Sequence, residues 1–312
     1  MNDTSNRLQP AEQIEIWPAL PYETWKDTCE TLHLWTQIVG KVRMELSPFH
    51  NHWWHVTFYV TPRGLTTSGI PYRNGAFDVT FDFVEHQLRI RTSDGATSEL
   101  PLIPRSVAAF YREFLSHLRT LGIEVTINPV SCELPIPIRC DRDETHASYD
   151  PVYAQRFWRI LVLTDAVLRR YRSMFLGKSS PVHFFWGGFD LALTFFSGRR
   201  APPRPGADRV QREAYSHEVI SCGFWPGDAR FPAPAYYAYA APEPSGLSSA
   251  SVRPEQAFYS RELGEFLLRY DDVRSAAVPD VALLEFFESA YNAAARLGHW
   301  DREALERTAP AP

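Results

Sequence analysis

The chain has 312 residues, 45% hydrophobic and 22% charged, which is enough apolar material for one large domain or two ordinary ones. Its 32 Lys and Arg stand against 37 Asp and Glu, and a net charge of −5 gives no basic footprint, so nucleic-acid binding is not expected. Aromatic residues reach 14%, with 9 Trp, an excess that suits a ligand pocket as well as a core.

Residues 1–16 are polar and lack the apolar stretch of a secretory signal, and they are expected to be disordered. No run of about 18 uninterrupted apolar residues occurs, so no membrane span is expected. Cys29, Cys132, Cys140 and Cys222 are widely spaced and form no C-x-x-C pair; they read as reduced thiols in a cytoplasmic protein. Trp17-Pro18-Ala19-Leu20-Pro21 then anchors a first half, residues 17–127.

The spacing of Trp25, Cys29, Leu32, Trp35, Val39, Val42 and Leu46 predicts a helix from about Tyr22 to Leu46. Strands are expected at His52–Val60, Gly64–Ser68, Phe77–Phe83, Gln87–Thr92 and Ser98–Leu102, and a helix from Pro104 to about Leu121. Residues 128–150, rich in Pro, charge and Cys, read as a linker. The second half, residues 151–300, repeats the order. A helix runs from Pro151 to about Phe175, with strands at His183–Phe196, His217–Phe224, Tyr236–Ala240 and Gly264–Leu268, and a closing helix at Val281–Leu297. Residues 301–312 read as a flexible end. The fold class expected is α+β, in two pseudo-repeated halves, each a long helix, antiparallel strands and a closing helix.

The repeat is visible in Ser47-Pro48-Phe49-His50 and Ser180-Pro181-Val182-His183, each at the end of a long helix and before an aromatic-rich strand. Side chains alternate across a strand. The first strand would therefore turn Trp53, His55, Thr57 and Tyr59 to one face, and the second Phe184, Trp186, Asp190 and Thr194. Joined, these walls make the preferred site. Asp190 beside Trp186 has the setting in which a carboxyl pKa rises toward general-base use, and His55 is its acid/base or ligand partner. His217 and Glu218 on the following strand add an imidazole and a carboxylate. The bland reading is packed core with satisfied imidazoles, the commoner fate of Trp- and His-rich strands.

His50-x-His52 puts two imidazoles on one strand face, where His183 or His217 could complete a divalent zinc or iron site. With 10 His in the chain such a pair is a weak signal. His33, His86, His117, His146 and His299 read as ordinary surface or capping residues. Arg199, Arg200 and Arg204, on a loop stiffened by Pro202, Pro203 and Pro205, suit a carboxylate or phosphate on a small ligand, although a solvated basic loop is the plainer reading. The chain has no G-x-G-x-x-G, no G-x-x-x-x-G-K-[ST] and no G-x-S-x-G, so Rossmann, P-loop and α/β-hydrolase chemistry is not supported.

Several long blocks carry a resemblance: Trp17-Pro18-Ala19-Leu20-Pro21-Tyr22, Asn51-His52-Trp53-Trp54-His55, Ser180-Pro181-Val182-His183-Phe184-Phe185-Trp186 and Tyr215-Ser216-His217-Glu218-Val219-Ile220-Ser221. Together they resemble a bacterial family known only as a domain of unknown function, over Trp17 to about Glu306. The resemblance implies a bacterial, cytoplasmic protein and brings no activity, cofactor or catalytic residue with it. From the residues themselves, an enzyme acting on a small molecule is preferred. The rivals are a non-catalytic binder using the same aromatic walls, and an interaction module using the Pro-rich loops.

Overall fold

Trp25, Cys29, Leu32, Trp35, Val39 and Val42 are buried along one helix, α1 (Tyr22–Leu46), in the computed structural model, which describes residues 15–307. Six short strands follow: β1 (Tyr59–Thr61), β2 (Gly64–Thr66), β3 (Ile70–Tyr72), β4 (Gly75–Asp82), β5 (Gln87–Thr92) and β6 (Thr97–Pro101). They form one antiparallel sheet in the order β1-β2-β4-β5-β6, with β3 paired to β4. Phe77, Val79 and Phe81 of β4 are buried, while Asp78 and Asp82 turn outward to Arg91, Arg63 and Arg89. This period-two pattern seats α1 and α2 (Val107–Thr120) on one face, where Trp35 stacks on Phe110 at 4.7 Å.

The second helix-led unit starts at α3 (Pro151–Arg172), where the Asp150 side chain accepts the backbone N–H groups of Val152 and Tyr153 and Pro151 fills the first turn. It continues as β7 (His183–Phe185), β8 (Asp190–Arg200), α4 (Arg209–Ala214), β9 (His217–Trp225), β10 (Ala235–Ala241), β11 (Phe258–Ser260) and β12 (Glu265–Arg269). Helices α5 (Tyr270–Arg274), α6 (Pro279–Leu297) and α7 (Arg302–Leu305) end it. The sheet order is β11-β12-β10-β9-β8-β7. The leading strands of the two sheets meet edge to edge, because Phe58 and Phe184 each donate an N–H to the other's carbonyl at 2.9 Å.

Register assigns the two faces of the second sheet. Leu191, Leu193, Phe195, Ile220, Phe224 and Tyr236 are buried against α3 and α6, where Tyr171 packs on Phe195 and Tyr236 on Phe287. Ala192, Thr194 and Phe196 of β8, Val219, Ser221 and Gly223 of β9, and Tyr237 and Tyr239 of β10 share the opposite face. That face is roofed by α1, by residues 51–56 and by residues 132–133 of the first half and the chain that follows it, with α4 of its own unit closing one side.

The α+β class agrees with the sequence, and each sheet is an antiparallel meander flanked by helices. The odd strand differs: β3 hangs from β4 in the first sheet, whereas β11 forms an outer edge in the second. Two expected strands are corrected. Residues 51–54 form a tight turn, with His52 at φ 58 and Trp53 at φ 61, and only Tyr59–Thr61 pairs as a strand with β2. The backbone there is satisfied elsewhere: His52 N–H goes to Glu213, and the Val56 carbonyl accepts from Trp186. The span expected as one strand from His183 is a hairpin whose Trp186-Gly187-Gly188-Phe189 turn separates β7 from β8; Phe189 takes the left-handed backbone at φ 58, and the two glycines leave the space that Glu133 and Asp190 occupy.

The loop after Arg200 contains α4, which was not foreseen, and residues 301–307, expected to be flexible, carry α7 and a bridge from Glu306 to Phe175. The remaining terminal expectations fall on residues 1–14 and 308–312, outside the described residues. Among the described residues no helix is long and apolar enough to cross a membrane.

Candidate functional site

A cavity of about 670 Å³ lies between the polar face of the second sheet and the roof supplied by the first half. Its floor is built by alternation: Asp190, Ala192 and Thr194 from β8, Ser221 from β9, and Tyr237 and Tyr239 from β10. Lys41 and Met44 of α1 face it, Trp53, Trp54 and Val56 wall one side, and Asp208, Gln211 and Tyr215 close it from the α4 region. A groove of about 710 Å³ beside α3 and α6 offers no such convergence, since its Arg274 is already paired with Glu15 and Asp271.

Asp190 is the chemical centre of the floor. Tyr237 donates its phenolic hydrogen to Asp190 Oδ2 at 2.5 Å. The side chain is partly accessible because it faces the cavity, yet it lies deep among protein atoms, so water reaches it only through that cavity. Burial is the main cause that raises its pKa to about 7; the neighbouring Glu133 carboxylate adds to the rise and the Tyr237 hydrogen bond opposes it. Glu133, also raised by burial, sits where a side chain on Gly187 would be: a Cβ there would lie 2.3 Å from its Oε1. A Cβ on Gly188 would meet Asp190 Oδ1 at 2.7 Å and Glu133 Oε2 at 3.6 Å, so the two carboxylates converge on this glycine. Glu265, on the same face at β12, is likewise raised to about 7 by burial and by Asp190.

The supporting polar residues come from one stripe of α1. His33 Nε2 donates to the Gly187 carbonyl at 2.8 Å, and its ring stacks on Phe189 at 4.8 Å. Gln37 grips the backbone of Cys132 from both sides, donating to its carbonyl at 3.0 Å and accepting its N–H at 2.9 Å, which places Glu133 over the floor. Gly40 leaves room for the Trp186 indole, since a Cβ would lie 2.3 Å from that ring. Trp186 in turn donates to the Val56 carbonyl at 2.7 Å and locks the roof segment to the hairpin. Four non-glycine residues around the cavity have left-handed backbone: His52, Trp53, Glu133 and Phe189, with φ of 58, 61, 59 and 58. Such strain persists only where the surroundings over-determine it, and it gathers at functional sites.

Of the residues expected at a site, Trp53, Trp186 and Asp190 do line the cavity. His55 and Tyr59 do not. His55 is buried behind Trp53, its ring stacked on that indole at 5.4 Å and its Nδ1 accepting the His50 N–H. Tyr59 lies further along, edge-on to His183 at 5.5 Å and beneath the Arg43 guanidinium. The strand that was to align these side chains is a turn, so its alternation does not apply. His217 does not line the cavity; its ring lies 5.9 Å from that of His52, which does. Glu218 points to the helix face of the sheet, where it pairs with Arg199 at 2.6 Å. Arg199 also donates to the Gly298 and His299 carbonyls at the end of α6, a structural clamp away from the cavity, and Arg200 is exposed.

The metal expectation loses its geometry for the same reason: His50 and His52 share no strand face, and among the described residues no group of three or more His, Cys, Asp or Glu side chains is placed to hold an ion. His52 instead donates from Nδ1 to the Ala214 carbonyl and accepts from Lys178 at Nε2, with its pKa held down by burial and by Lys178. Lys41, Glu133, Tyr215, Tyr237 and Tyr239 were missed. His33, Gln37 and Lys41 recur at four-residue spacing along α1, a polar stripe visible in the sequence, whereas the cavity it faces is not.

Residues 17–307 match one family model along their whole length. The chain belongs to DUF5996, a family of unknown function. No curated protein and no solved structure matches it. For this DUF5996 chain the site geometry therefore bears the functional argument.

Proposed function

We propose that the chain is an enzyme that performs acid–base chemistry on a small molecule held in this cavity, with Asp190 giving or taking the proton and Tyr237 holding its carboxyl in place. The observation that carries the reading is Asp190 itself, a carboxyl raised to about 7 at the floor of an aromatic-walled cavity, beside a second carboxylate, Glu133. A group that titrates near the working pH is the one best suited to exchange protons in both directions. His55, His217 and Glu218 have no part in this version. The four unpaired cysteines support a reducing, cytoplasmic setting. The recurrent order of helix, meander and helix, joined through Phe58 and Phe184, supports descent from a duplicated unit.

The rival is a non-catalytic binder, favoured by the aromatic character of the walls. One experiment separates the two. The small molecule extracted from the purified protein is identified by mass spectrometry and returned to fresh protein in D2O. An enzyme gives turnover or deuterium incorporation that Asp190→Asn abolishes while binding persists. Return of the molecule unchanged, with no deuterium, would make the chain a binder.

A further inference from the structure

Lys41 is only 5% exposed, it faces the cavity, and among the described residues its ammonium makes no hydrogen bond and no ion pair. The titratable neighbours that feel its charge are the thiols of Cys132 and Cys140, neither an anion at neutral pH since burial pushes both up. A buried cation without a partner costs free energy unless something anionic meets it. All other polar members of its stripe are engaged: His33 with Gly187, and Gln37 with Cys132. Lys41 alone is left free toward the void.

The rings of the cavity wall carry the same sign of charge beside them. Arg204 lies over the Tyr215 ring at 4.6 Å, Arg209 over Trp53 at 5.7 Å, and Lys178 over Phe196 at 4.7 Å, so three cations rest against aromatic wall residues. Cations close to a cleft raise the local concentration of anionic ligands.

We propose that the cavity takes a small monocarboxylate, its carboxylate seated on Lys41 and its planar body running between the aromatic walls toward Asp190. This rests on the cavity being a ligand site, as in the function proposed above, and adds what kind of molecule enters it. A dianionic phosphate fits less well, because Glu133, Asp190 and Asp208 also line the cavity and, among the described residues, Lys41 is the one buried cation that faces them. Lys41 lies two helical turns beyond His33, roughly 12 Å along α1, and His33 marks the Gly187 end where Asp190 stands. That span holds a ring and a short side chain between anchor and carboxyl.

The test uses three probes of one shape: 4-hydroxyphenylacetate, its neutral amide and the cationic amine tyramine. Calorimetry with the full chain should show the acid binding about tenfold or more tighter than the amide, the scale of a charge-assisted contact, and the amine weakest. Lys41→Met, with its fold checked by circular dichroism, should bring acid and amide level, whereas Asp190→Asn should keep the preference. The wild-type ranking alone decides the matter if Lys41→Met fails to fold. An amine that binds best, or an acid preference that survives Lys41→Met, overturns the anchor while the acid–base reading stands. No heat from any probe at millimolar concentration overturns this inference and removes support from the function as well.

Discussion

Tyr237 reaches Asp190 by lying across Gly223. Tyr237 is on β10, Asp190 begins β8, and β9 runs between them with Gly223 opposite both Tyr237 and Ala192. A Cβ on Gly223 would stand 2.6 Å from the phenolic oxygen and 1.9 Å from the Leu191 carbonyl oxygen. The glycine is therefore a requirement of close approach, and the hydrogen bond that steadies the proposed acid–base group depends on it.

Removing the phenol tests this coupling. The Tyr237 hydroxyl favours the ionised form of Asp190 and so holds its pKa down against burial. Tyr237→Phe should move the Asp190 titration upward from about 7, read by carboxyl carbon NMR with the resonance assigned through Asp190→Asn. Gly223→Ala should cost about 2 kcal/mol or more of stability, because backbone and not only a side-chain tip must shift. A Tyr237→Phe titration that stays at the wild-type midpoint would show that the phenol does not govern the group.

The same carboxyl should leave a mark on stability against pH. In the unfolded chain an Asp titrates near 3.8, in the fold near 7, so between those values the folded state binds more protons. Stability contributed by this group is full below about 4 and is lost as pH rises through 7, by an amount on the order of 2–4 kcal/mol. Asp190→Asn should consequently be more stable than wild type at pH 8, with the gap closing toward pH 4. Glu265, raised to about 7 as well, leaves part of the slope in the variant. Urea melts at three pH values read this directly, and a gap independent of pH would rule out a titrating Asp190.

Two buried histidines act in the opposite direction. Burial lowers His33 to about 4 and His183 to about 3, so both are neutral in the fold at pH values where a free imidazole is charged. Below about 6.5 the unfolded chain gains protons first, and stability falls as pH drops toward 4 and then 3. His183 also buries both ring nitrogens without a partner, surrounded by Trp54, Tyr59 and Phe185. His183→Phe should match or exceed wild-type stability at pH 7 and gain about a further 2 kcal/mol at pH 5. Equal acid sensitivity in both proteins would mean that His183 is not neutral in the fold.

Where the sequence was legible depended on what kind of signal each element sent. The helices α1 and α6 and the strands β4 and β5 announce themselves through apolar periods of 3.6 and 2, and they occur close to where those periods put them. Residues 51–57 are aromatic and β-branched enough to pass for a strand, but they turn locally, and the His52 N–H and Val56 carbonyl are held by the side chains of Glu213 and Trp186, more than a hundred residues away. No local pattern reports that. Asp190 and Trp186 could be singled out because a carboxyl beside rings is rare; Lys41 and Glu133 could not, since ordinary polar residues gain meaning only from the cavity they face. Arg199 is expected at the site as one of three arginines on a Pro-stiffened loop, and Glu218 as a carboxylate on the following strand, whereas strand alternation sends Glu218 to the helix side and Arg199 pairs with it there.

That reassignment of Arg199 gives the last prediction. Its guanidinium spans three acceptors: Glu218 through Nε at 2.9 Å, the His299 carbonyl through Nη1 at 2.8 Å and the Gly298 carbonyl through Nη2 at 2.6 Å. These carbonyls follow the last turn of α6, where unpaired oxygens and the negative end of the helix dipole favour a cation. Arg199 is half exposed, which limits the energy at stake to about 1 kcal/mol. Arg199→Ala should lower the melting temperature modestly and speed hydrogen exchange at the end of α6, with ligand affinity in the cavity unchanged. Arg199→Lys should recover only part of the loss, because an ammonium cannot span three acceptors with planar geometry. A tenfold drop in ligand affinity, with exchange in α6 as slow as in wild type, would return Arg199 to the ligand site and undo its assignment as a clamp.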